Sequence, residues 1–141
     1  METIGFVGLG TVGGAIAINL QKAGHLIKVH DIRPAVLRPL VEHGAQPLGS
    51  PAEIARQCRI VFTSLAGPRE VEEVALGANG LLPGVHDGSV YSDLSSRSVE
   101  LIRRIERAFL TRGARVMDAP LIIGKDGITN KSVEVLASGP A

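Results

Sequence analysis

The chain has 141 residues, 45% hydrophobic and 21% charged, with 15 basic against 14 acidic side chains and a formal net charge of +1. This composition excludes a disordered chain, and the charge balance gives no general attraction to nucleic acid or to an anionic membrane. The length is that of one domain, so residues 1–141 are read as a single unit in which any bound anion is held by local geometry.

In chain order, short β-rich runs alternate with helical ones. Thr3–Val7 is an apolar run that reads as a buried strand. Gly13–Ala23 has helical spacing, with Ala15, Ile16, Leu20 and Ala23 on one face and Gly24 placed to end it. Leu26–His30 reads as a strand, Pro34–His43 as a helix with Gly44 past its end, and Ala45–Leu48 as a short strand. Ser50, Pro51 and Glu53 spell a capping box for the next helix. Arg59–Ser64 is a strand, Pro68–Leu76 a helix, and Ser89–Asp93 a strand. Ser98–Arg112 is the longest helix, capped by Ser98, with Leu101, Ile105, Ala108 and Phe109 as its buried stripe. Arg115–Asp118 and Val133–Ala137 complete the strands. The alternation predicts an α/β fold of Rossmann type, a doubly wound and mostly parallel sheet with helices on both faces.

The sharpest motif is Gly8-Leu9-Gly10-Thr11-Val12-Gly13, a G-x-G-x-x-G between a strand and a helix. Gly8 permits the tight turn, Gly10 lets a pyrophosphate approach the backbone, and Gly13 lets the helix pack closely. Helix-start N–H groups then bind phosphate without a lysine. Asp31 ends the second strand at the distance expected for a residue that accepts the adenosine ribose hydroxyls. A carboxylate there favours NAD over NADP, while nearby Arg33 offers a 2′-phosphate a partner. The alternative is that the glycines only shape a turn and Asp31 only caps the helix at Pro34.

Four segments carry a wider likeness: IGFVGLGTVG, VFTSLAGPREVEEV, GSVYSDLSSRSV and VMDAPLIIGKDGITNKSVEVLASG. Together they resemble the β-hydroxyacid dehydrogenases, which include 3-hydroxyisobutyrate and 6-phosphogluconate dehydrogenases. The resemblance implies an NAD(P)-dependent oxidoreductase acting on a small hydroxyacid-like molecule by hydride transfer. It places Ser64 and Leu65 against the cofactor and Ser96 near its nicotinamide end. From the residues alone, Ser95 and Ser96 read as caps ahead of the long helix. It places Ile122, Ile123 and Gly124 at the substrate, where the family has V-S-G-G, and Lys131 where it has glycine. Ile122 offers no hydrogen bond and Ile123 lacks glycine's backbone freedom. An imine or carbonyl reductase using NADPH, or a non-catalytic nucleotide-binding module, is therefore the alternative. The family's catalytic lysine and asparagine lie on a later helical domain, so no catalytic residue is expected within these 141 residues. A homo-oligomer is expected only with that helical domain.

The remaining candidates are weaker. The four histidines and Cys58 show no metal-ligand spacing, and no metal is expected. Asp118 with Lys125 and Asp126 reads as a strand-end residue with solvated charges rather than an acid–base cluster. The lone cysteine excludes an intrachain disulfide and reads as a small core residue. No apolar run approaches the roughly 20 residues of a membrane span, and no signal-peptide pattern opens the chain. A cytoplasmic protein is expected.

Overall fold

A computed structural model describes residues 2–95, 98–118, 121–123 and 133–135. The elements are β1 (Ile4–Val7), α1 (Thr11–Lys22), β2 (Ile27–His30), α2 (Pro34–Glu42), β3 (Gln46–Pro47), α3 (Pro51–Gln57), β4 (Ile60–Thr63), α4 (Pro68–Leu76), β5 (Val90–Asp93), α5 (Val99–Leu110), β6 (Arg115–Asp118), β7 (Leu121–Ile123) and β8 (Val133–Val135). The first six strands form one sheet in the order β3-β2-β1-β4-β5-β6. Every neighbouring pair is parallel, with Phe6 opposite Val29 on one side and Phe62 on the other. This is the doubly wound Rossmann order. Strand order reverses between β1 and β4, so the loops after both strands open the crevice where such sheets hold ligands.

Two cores cover the two faces. One collects Ile54, Val71, Leu101, Ile105 and Phe109 from α3, α4 and α5. The other collects Ala17 and Leu40 from α1 and α2 against Phe6 and Val29. All four residues of β1 are buried, as a central parallel strand requires. Gly5 matters here, because a Cβ on it would strike Ile54 and crowd Cys58 at 3.2 Å. Cys58 is buried, and that burial pushes its thiol pKa up, which fits a small core residue.

The departures from expectation have physical causes. Helix α1 begins at Thr11 rather than Gly13, because Gly10 already stands in the extended N-cap position. Its fully buried residues are Gly13 and Ala17, while Ala23 is exposed. The close approach of Gly13 to the carbonyl oxygen of Gly8 sets the rotation of the helix. The stripe of α5 includes Ile102, with Ala108 only partly covered. In the capping box, Ser50 Oγ accepts the Glu53 N–H at 3.2 Å, but Glu53 accepts from Gly49 N (2.8 Å) rather than from Ser50. Ser50→Ala is expected to cost about 1 kcal/mol in a urea unfolding titration. β7 was not expected; Leu121–Ile123 pairs antiparallel with Val133–Val135 in a separate two-stranded sheet. Its apolar run is too short to be distinguished from a loop by periodicity.

Candidate dinucleotide site

Three glycines with different jobs build the turn after β1. Gly8 has φ +93°, a left-handed conformation, and a Cβ there would strike the carbonyl oxygen of Ser64. Gly13 cannot carry a Cβ because the Gly8 carbonyl oxygen fills its place. Gly10 differs from both. Among the described residues, a Cβ on it would meet only Arg33 Nη2, at 3.4 Å. No described backbone requires glycine there, so its bare face is a space that a ligand can fill. No side chain caps α1 at Gly10, which leaves the first-turn N–H groups of Thr11, Val12 and Gly13 for a ligand. The cradle therefore fits a dinucleotide pyrophosphate.

Asp31 ties this turn to the loop after β2. Its Oδ2 accepts the Leu9 N–H at 2.7 Å, and its Oδ1 accepts the Arg33 N–H at 2.8 Å. The Arg33 guanidinium adds Nε at 3.2 Å from Oδ1. Helix α2 has no side-chain cap, so the capping role of Asp31 is not seen. Burial of Asp31 opposes ionisation, yet Arg33 and the two backbone N–H groups outweigh it. They hold the carboxyl below its ordinary value, so it accepts hydrogen bonds at neutral pH.

A buried polar network positions the loop after β4. Thr63 Oγ1 donates to Asp93 Oδ1 at 2.7 Å and lies 2.7 Å from the Tyr91 hydroxyl. With its own proton given to Asp93, Thr63 accepts from Tyr91. The Ser95 N–H also donates to Asp93 Oδ1, at 3.1 Å. Ser95 Oγ in turn accepts the Leu65 N–H at 2.6 Å. Thr63, Tyr91, Asp93 and Ser95 are all buried. Ser98, not Ser95, caps α5, by accepting the Leu101 N–H at 3.1 Å. Ser95 Oγ instead holds Leu65. Its role was hidden because a serine before a helix reads as a cap, and only strand pairing brings it to Leu65.

A cleft of about 430 Å³ opens beside these groups. Its lining includes Gly8, Asp31, Ile32, Leu65, Arg69 and Glu73. That volume falls within the roughly 300–1,000 Å³ usual for small-molecule sites. Ile32 and Arg69 carry no motif and escaped the sequence reading; the fold alone brings them together. Ser96, Gly124, Lys125, Asp126 and Lys131 lie outside the described residues. The structure gives the backbone of Asp118, Ile122 and Ile123, the first in β6 and the others in β7, away from the six-stranded sheet. Among the described residues, no three His, Cys, Asp or Glu side chains gather as a metal set. Nor is any described helix long and apolar enough to cross a membrane.

Strand order, glycine turn and strand-end carboxylate together define a dinucleotide-binding domain. The family described as the NAD binding domain of 6-phosphogluconate dehydrogenase matches residues 3–141, and the chain belongs to it. The chain is 35% identical over 141 residues to 3-hydroxyisobutyrate dehydrogenase of Pseudomonas aeruginosa, covering 100% of this chain and 47% of that protein. It is 33% identical over 139 residues to the cytokine-like nuclear factor N-PAC of Xenopus tropicalis, covering 98% of this chain and 26% of that protein. Among solved structures it resembles Psf3 in complex with NADP+ and 2-OPP, with TM-score 0.90 and 27% identity over 97% of this chain and 49% of the other. The chain thus spans about half the length of the dehydrogenase and about a quarter of the nuclear factor.

Proposed function

We propose that this chain is the cofactor-holding part of an NAD(P)-dependent oxidoreductase that transfers hydride to or from a small hydroxyacid-like molecule. The observation that carries this reading is Gly10, whose bare face no described backbone requires. The N–H groups of Thr11, Val12 and Gly13 bind the pyrophosphate, and Asp31 takes the adenosine ribose. Ile32 and the start of α4 flank the adenine. Leu65, held by Ser95, lies along the middle of the cofactor, with Ser64 beside it. The resemblance assigns Ser96 to the nicotinamide end and Ile122, Ile123 and Gly124 to the substrate. When bound, the nicotinamide supplies the hydride chemistry. The resemblance places the group that handles the proton of the alcohol or carbonyl on the family's later helical domain, so the role proposed for residues 1–141 is to bind and orient.

NAD is the preferred cofactor in this reading because a 2′-phosphate would meet the Asp31 carboxylate. Titration with NADH, followed by fluorescence or calorimetry, tests it. Asp31→Ala is expected to weaken NADH about tenfold, the loss of hydrogen bonds to a charged group, and NADPH less. No NADH binding at millimolar concentration would sink the reading. An NADPH-dependent imine or carbonyl reductase is the runner-up. The NADP+ bound to the similar Psf3 and the apolar Leu121–Ile123 strand favour it. Tighter NADPH than NADH in the unsubstituted chain would select it. The likeness to the nuclear factor keeps a third reading, a non-catalytic nucleotide module.

A further inference from the structure

The Arg33 guanidinium lies against Asp31, the carboxylate that takes the ribose in the cofactor reading. Its Nε is 3.2 Å from Asp31 Oδ1, and its Nη2 is 3.4 Å from Asp31 Oδ2. The same Nη2 lies 3.4 Å from the position a Cβ on Gly10 would take. The group thus spans the mouth between the carboxylate and the bare glycine. A carboxylate offers about four lone-pair sites. Here four donors meet them: the Leu9 and Arg33 backbone N–H groups, and Nε and Nη2 of the one guanidinium. The two backbone donors are built into the turn. The guanidinium is not, because it ends a long side chain that is 59% exposed, whereas Asp31 is 5% exposed. A ribose diol needs the two sites that the guanidinium holds.

We propose that Arg33 is a specificity-determining residue that acts as an internal competitor for the ribose subsite. This inference rests on the cofactor reading above. NAD binding must displace the guanidinium from Asp31 and gains nothing from it afterwards. NADP binding displaces it too, but the freed cation then meets the 2′-phosphate as a fork on an anion. Arg33 therefore taxes NAD and rewards NADP, and it narrows the preference that Asp31 alone would set.

The test is a pair of titrations, NADH and NADPH, on the unsubstituted chain and on Arg33→Ala. Arg33 is largely exposed and its pairing replaceable by water, so the variant is expected to fold. Loss of an exposed ion pair predicts NADH binding about two- to five-fold tighter in Arg33→Ala. NADPH binding is expected to fall about tenfold or more, the loss of a charge-assisted fork. Arg33→Lys keeps the charge without the fork and should lie between the two for NADPH. An NADH affinity that is unchanged or weaker in Arg33→Ala overturns the proposal, as does an NADPH affinity that does not fall. Absence of NADH and NADPH binding in the unsubstituted chain is a different result, and it overturns the cofactor reading itself.

Discussion

Gly10→Ala is expected to leave folding stability within about 0.5 kcal/mol while weakening NADH binding by tenfold or more. Among the described residues, the added methyl would meet only the far end of Arg33, which can move. The backbone at Gly10 is extended, with φ −67° and ψ −162°, and accepts alanine without strain. The methyl does occupy the space a pyrophosphate needs beside the helix start. Gly8→Ala should behave in the opposite way. It places a side chain at φ +93° and drives it into the Ser64 carbonyl oxygen. Strain and overpacking together are expected to cost about 2–4 kcal/mol. A urea titration read beside an NADH titration separates the two variants. Equal stability losses in both would mean that Gly10, like Gly8, serves only the turn.

Asp93→Ala should be the most damaging polar substitution in the site. Its Oδ1 receives both the Thr63 hydroxyl and the Ser95 N–H, in a region with no exposure to water. Removing that acceptor strands two buried donors, at about 1–3 kcal/mol each. Against a total stability of about 5–15 kcal/mol, such a variant is expected to be substantially unfolded. Ser95→Ala gives the milder companion. It removes only the hydroxyl that accepts the Leu65 N–H, at about 1 kcal/mol of stability. It is expected to weaken NADH severalfold, because the loop carrying Leu65 loses its tether to the loop after β5. Unchanged NADH affinity in a folded Ser95→Ala would remove the network from the cofactor site and leave it a structural role.

Much of the fold was legible because its signals are local. Hydrophobic runs, Gly24 and Gly44 past the helix ends, and Pro51 and Pro68 at helix starts depend on neighbours a few residues away. Helix α4 and strand β6 have the expected bounds for this reason. The rotation of α1 was misjudged because it is set by a contact between turn and helix. The Glu53 partner was misplaced by one residue because loop geometry decides which N–H is within reach.

By itself, the sequence determined the parallel α/β architecture, the glycine turn and the strand-end Asp31, since each follows from residue type at fixed spacing. Tertiary structure alone separated the glycines, because a Cβ clash at Gly8 and Gly13 involves atoms that only folding brings near. It also joined Leu65 to Ser95, thirty residues apart in sequence, through pairing of β4 with β5. And it placed the Arg33 guanidinium over Asp31 and Gly10 at once, a position that depends on how two loops from neighbouring strands meet.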